Sequence, residues 1–176
     1  MKAHATAVVD PAADVADDVE IGPFCVIGAG VRISPGCKLG PRVSIIGPAV
    51  IGRDNALHAN VTIDDSARIG DANVLRESTH VGPKAQVGSR NRFGTWVNIG
   101  AAATVADDTI LGSFAIVAEN CKIESKVKIE GQTVLEAGTT IGAGARVRSQ
   151  VPVMGDVDPS AFLDGNPAEA QAGGVA

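Results

Sequence analysis

The sequence predicts an all-β fold, a parallel β-helix of triangular coils, and three regularities predict it. From Val9 to Val153, every sixth residue is Val, Ile, Leu or Phe, and no insertion breaks the register. Two places before each of these, from Ala7 to Ala145, stands Ala, Val, Cys, Asn or Thr. Residues two apart on a strand share a face, so both series point inward. Third, Asn55, Asn73 and Asn91 are spaced by 18, so three hexapeptides close one coil and the amides stack as a ladder.

Each hexapeptide is then a short strand plus a corner. Glycine follows the aliphatic residue at Gly22, Gly28, Gly40, Gly52, Gly70, Gly82, Gly88, Gly94, Gly100, Gly112 and Gly142, which predicts a bend of unusual φ there. Residues 9–152 hold about eight coils, a prism about 38 Å long at roughly 4.8 Å per coil. Each coil is buried only against its neighbours. Residues 1–8 read as a lead-in. The period fails after Val153, so 153–176 read as a short C-terminal cap and loose tail, with Phe162 and Leu163 plugging an end that would otherwise expose strand edges.

Composition agrees. The 176 residues suffice for one domain, yet include only four Phe, one Trp and no Tyr, so small aliphatics must fill the core. The net charge of −5 comes without a basic face, which argues against nucleic acid. The start, Met1-Lys2-Ala3-His4-Ala5, lacks the apolar run of a signal peptide, and no apolar stretch is long enough to span a membrane. These features predict a soluble, cytoplasmic chain. Cys25, Cys37 and Cys121 form no CxxC pair and histidine is rare, so they read as buried apolar fillers and no metal site is expected.

The outward residues sort into three faces. The first carries Val8, Val26, Ser44, Thr62, His80, Asn98, Ile116 and Val134 and no formal charge. The second carries Asp14, Arg32, Val50, Arg68, Gln86, Thr104, Lys122 and Thr140, and the third Glu20, Lys38, Ala56, Val74, Arg92, Ile110, Lys128 and Arg146. An uncharged, flat strip suggests a subunit contact, and a cyclic homotrimer is the natural closed arrangement.

The corner entering the first face runs His58-Ala59-Asn60, Arg76-Glu77-Ser78, Gly94-Thr95-Trp96 and Gly112-Ser113-Phe114 in successive coils. Trp96 and Phe114, spaced by 18, should stack, as interface packing or as an acyl groove. The candidate site therefore gathers His80, Asn98 and His58 as catalytic residues and Arg76, Glu77, Trp96 and Phe114 as substrate contacts. His80 is the candidate general base. Arg76 and Glu77 could instead form a surface ion pair. A γ-class carbonic anhydrase would need three zinc histidines, and only His58 and His80 lie near this face.

The period, with the segments Ile21-Gly22-Pro23-Phe24-Cys25-Val26-Ile27-Gly28, Ile51-Gly52-Arg53-Asp54-Asn55, Arg76-Glu77-Ser78 and Gly88-Ser89-Arg90-Asn91, resembles the left-handed β-helix hexapeptide-repeat acyltransferases. Within them it is most similar to the UDP-N-acetylglucosamine acyltransferases of lipid A biosynthesis. The resemblance implies a left-handed winding, a homotrimer with clefts between subunits, and a histidine base acting on a sugar hydroxyl. It implies acyl carrier protein or acyl-CoA as donor and no permanently bound cofactor. Following the family pattern, the base falls at Ala101, its acidic partner at Ala102 and a second histidine at Asn98, and neither alanine can move a proton. The family's substrate loops and C-terminal helical domain have no counterpart in the sequence. Gly165-Asn166-Pro167-Ala168 resembles the terminal motif of acetyl-CoA-dependent hexapeptide acetyltransferases, but Glu169 follows where a basic segment is usual.

Two functions follow: an acyltransferase acting on a nucleotide sugar or amino sugar, with His80 as base and Asn98 or a backbone N–H supporting the thioester oxyanion, or a catalytically inactive trimeric scaffold or regulatory paralogue of such an enzyme.

Overall fold

The computed structural model describes residues 1–165. Its strands are two residues long and pair only in parallel, forming sheets of ten, eight and eight strands. Every regular pairing joins residues 18 apart, as in Thr62 with His80 and His80 with Asn98. The eight-stranded sheets are the first and second faces, and the ten-stranded sheet is the third.

Packing follows the two inward series. The aliphatic positions from Ile21 to Val147 are buried, and Phe93 is the largest wholly buried side chain. Small residues two places earlier leave room at the prism axis. Their polar members are satisfied locally: Cys25, Cys37 and Cys121 donate Sγ–H to the carbonyls of Gly40, Gly52 and Glu136, each 15 residues on. The amide ladder forms as well. Asn73 donates its backbone N–H and Nδ2 to Asn55 Oδ1 at 2.9 and 3.0 Å, and Asn91 donates its backbone N–H to Asn73 Oδ1 at 2.8 Å. Asn91 Nδ2 alone is buried without a partner among the described residues.

The corner glycines act through space rather than through φ. Most corners have a left-handed residue two places later, and eighteen of these are not glycine, including Phe24 (φ 58°), Trp96 (φ 58°) and Phe114 (φ 62°). That conformation costs an L-residue roughly 1–2 kcal/mol. It is held by a repeating bond in which the residue's N–H donates to the carbonyl 19 residues earlier, as in Trp96 to Glu77 and Ala102 to Pro83, both 2.9 Å. Where glycine stands, the next coil lies close against it. A Cβ on Gly100 would sit 2.6 Å from backbone atoms of Ala118 and Glu119, and one on Gly112 would sit 2.4 Å from the Gly131 nitrogen.

The ends also differ from expectation. Lys2–Ala3 pairs with Glu20–Ile21, so the expected lead-in is already wound into the prism. Beyond Val153 the chain keeps winding with irregular spacing: Val153 bridges Leu135, Val157 bridges Ile141, and Phe162–Leu163 pairs with Arg146–Val147. The winding totals about nine turns. Phe162 is therefore not a plug. Strand alternation turns it outward, 49% exposed, and leaves Leu163 half-buried on the inner side. The last strand extends the third sheet by one rather than covering the end. The motif from Asn166 onward and the tail lie outside the described residues.

Candidate functional site

The first face presents Thr62, His80 and Asn98 in consecutive strands, directly above one another. His80 follows the corner Arg76-Glu77-Ser78, and its side chain reaches across the face to the opposite corner, where Nε2 lies 3.0 Å from Asp64 Oδ2. Both side chains are partly shielded, 39% and 24% exposed. A carboxylate facing Nε2 accepts its proton and leaves Nδ1 as the lone-pair nitrogen, which fixes the tautomer a base needs.

Asp64 was not among the residues singled out in the sequence. It stands at the position where glycine follows eleven of the aliphatics, and the corner leaving the first face carries no period that draws attention to it. By the 18-residue winding, Asp64, Gly82 and Gly100 share one corner position, and Asp65, Pro83 and Ala101 the next. His80 thus leans toward the edge that carries Ala101.

The other candidates lie on the opposite edge. His58 Nδ1 is 3.2 Å from Glu77 Oε1, so Glu77 turns to the histidine one coil earlier rather than to its neighbour Arg76. Its carboxyl is held below the usual carboxylate range, first by its own backbone N–H and then by His58. The two histidines are not brought together: each has its own carboxylate, on its own side of the face. Trp96 and Phe114 occupy the same corner position in adjacent coils. The left-handed corner turns both rings out, 61% and 52% exposed. With Ile116 and Val134, also exposed, they make an apolar margin to the polar strip of Thr62, His80 and Asn98.

Another concavity lies on the second face. This trough of about 680 Å³ runs past Arg68, Gln86, Thr104, Lys122, Glu124 and Ser125. Its one carboxylate, Glu124, is 3.2 Å from Lys122 and has its ionised form favoured chiefly by that ammonium. No histidine or cysteine thiol lines it, so acid–base chemistry points to His80 instead.

No protein-family model matches the chain. The acyl-[acyl-carrier-protein]–UDP-N-acetylglucosamine O-acyltransferase of Saccharophagus degradans is 47% identical over 55 residues, 31% of this chain and 21% of that protein. Its namesake from Xanthomonas euvesicatoria is 42% identical over 60 residues, 34% of this chain and 23% of the relative. The structure of the Francisella novicida UDP-N-acetylglucosamine acyltransferase superposes with a TM-score of 0.87 at 26% identity, covering 90% of this chain and 65% of that one. The likeness is to acyltransferases. It also gives the winding its left hand. The matched segment spans about a fifth of the length of these curated relatives.

Proposed function

We propose that this chain is an acyltransferase. It moves an acyl group from acyl carrier protein, or from CoA, to a hydroxyl or amine of a nucleotide amino sugar, in a cleft between copies of a homotrimer packed through the first face. The observation that carries this reading is the His80–Asp64 pair on an uncharged face, at 3.0 Å. The likeness to acyltransferases supports the substrate class. No helix among the described residues is long and apolar enough to cross a membrane, and the proposed location is the cytoplasm, where both proposed substrates are made and used.

In the reaction the acceptor oxygen or nitrogen attacks the thioester carbonyl carbon while His80 Nδ1 takes the acceptor's proton. Asp64 steadies the resulting imidazolium. Asn98, next along the face, or a backbone N–H supports the oxyanion. The C–S bond then breaks and the thiolate leaves with the proton. Trp96 and Phe114 offer the acyl chain an apolar margin, and Arg76, Glu77 and His58 offer polar contacts to the acceptor.

The test is turnover of acyl carrier protein thioester with UDP-N-acetylglucosamine, followed by mass spectrometry of the acylated sugar. His80→Ala should reduce kcat at least about tenfold, toward the 10²–10⁴-fold typical of a lost general base. Asp64→Asn should lower kcat with little change in KM. Unchanged turnover in His80→Ala would remove the assignment. A second reading, a non-catalytic trimeric scaffold, is favoured by Ala101 and Ala102 at the family's acid–base positions. It predicts no product from the wild-type protein with either donor.

A further inference from the structure

Near its C-terminal end the third face carries a hollow of about 240 Å³, lined by Lys128, Glu130, Arg146, Val147, Arg148 and Phe162. Its charges are unusual for a chain whose net charge is −5. Some cations elsewhere are held by carboxylates: Arg90 grips Asp108 at 2.7 Å and Asp107 at 3.1 Å, and Lys122 meets Glu124 at 3.2 Å. Here Glu130 is already committed, accepting from the backbone N–H and hydroxyl of Ser149 while Lys128 stands 4.0 Å away. Neither Arg146 nor Arg148 has a carboxylate within ion-pair reach among the described residues. Arg148 is nonetheless positioned, its guanidinium carbon 5.5 Å from the centre of the Phe162 ring. The irregular last coil creates this arrangement, because pairing Phe162 directly beside Arg146 sets an aromatic ring against the arginines.

We propose that this hollow binds the phosphate or diphosphate of a ligand, with the Arg146 and Arg148 guanidiniums as paired donors and Lys128 adding charge. Guanidinium forks match phosphate oxygens in a planar, bidentate manner that ammonium groups cannot reproduce. The volume suits one or two phosphoryl groups rather than a whole nucleotide. Both substrates of the acyl-transfer reading carry phosphate, and only the choice between them rests on that reading. Arg146 lies in the strand four coils beyond Val74, whose own coil contains His80, a rise of about 19 Å along the prism at the spacing of successive strands, to which the step from the third face to the first adds. A diphosphate one bond from a sugar cannot reach from the hollow to His80. Of the two substrates only the donor carries its phosphate on a long flexible arm, so the donor is the expected source.

The experiment is isothermal titration of the full chain with inorganic pyrophosphate, then CoA, then UDP-N-acetylglucosamine. Pyrophosphate should bind, weakening as salt is raised. Arg146→Gln combined with Arg148→Gln should weaken it at least about tenfold, while Arg53→Gln on a different corner should not. Arg148→Lys, which keeps the charge and loses the fork, should weaken it too. CoA should compete with pyrophosphate, and UDP-N-acetylglucosamine should not; the reverse would assign the hollow to the nucleotide and overturn the donor assignment. No pyrophosphate binding, or equal binding by the double variant with its thermal unfolding unchanged, would overturn the subsite. Neither result depends on turnover, so loss of the subsite and loss of the acyl-transfer reading are separately visible.

Discussion

At the scale of single residues, the inward polar side chains do as much specifying as the aliphatics. Asn73 is wholly buried and its amide satisfies Gly88 O below one corner while accepting from Asn91 N–H. Asn73→Ala orphans both groups, and each buried unpaired group costs about 1–3 kcal/mol. A loss of roughly 3 kcal/mol should appear in urea unfolding, well above the effect of an exposed change such as Lys38→Ala. The three cysteines should stay unreactive toward a thiol reagent until the chain unfolds, since burial pushes all three thiols up and leaves little thiolate at neutral pH. Glu77 gives a pH signature. Its carboxyl titrates lower folded than unfolded, so its stabilising contribution is full above the ordinary carboxylate range and fades as pH falls through that range and below it. Glu77→Gln should flatten the acid side of a plot of urea midpoint against pH. Inward residues were legible in the sequence because a period of six dictates them. Asp64 was not: it is a corner residue whose meaning depends on His80, one coil later and 16 residues away.

At the scale of the element, the hexapeptide was read correctly as strand plus corner, but the glycine was given the wrong task. The sequence shows glycine after eleven of the aliphatic residues; it does not show whether the reason is φ or crowding. The coordinates separate these, since the left-handed residue comes two places later and the glycine faces the next coil's backbone. Two substitutions distinguish them experimentally. Gly100→Ala, with its Cβ driven into Ala118 and Glu119, should destabilise by about 1–3 kcal/mol in urea unfolding. Ala102→Gly, at a left-handed corner of φ 55°, should be neutral or mildly stabilising. The last coil escaped the sequence reading for a related reason. Its register shortens from 18 to 16 residues at Ile141–Val157 and Arg146–Phe162, and a fixed period cannot follow a change of stride.

At the scale of the whole molecule, the winding sorts chemistry by face. The first face is uncharged along its strands, has apolar ends and margins, and carries His80 backed by Asp64. As a flat side of a prism it makes no pocket by itself, so the proposed chemistry needs a second copy to close over it. The 18-residue arithmetic already placed His80 and Asn98 on that face. It could not show that the two histidines look to opposite edges, because side-chain reach is invisible to a period. The most direct measurement joins assembly to chemistry in one variant. Thr62→Glu sets a carboxylate at the centre of the first face, beside His80 but outside its pair with Asp64. Sedimentation should show a trimer for the wild-type protein and a monomer with unchanged secondary structure for the variant, with acyl transfer lost at the same time. A wild-type monomer, or a variant that stays trimeric and fully active, would contradict the account.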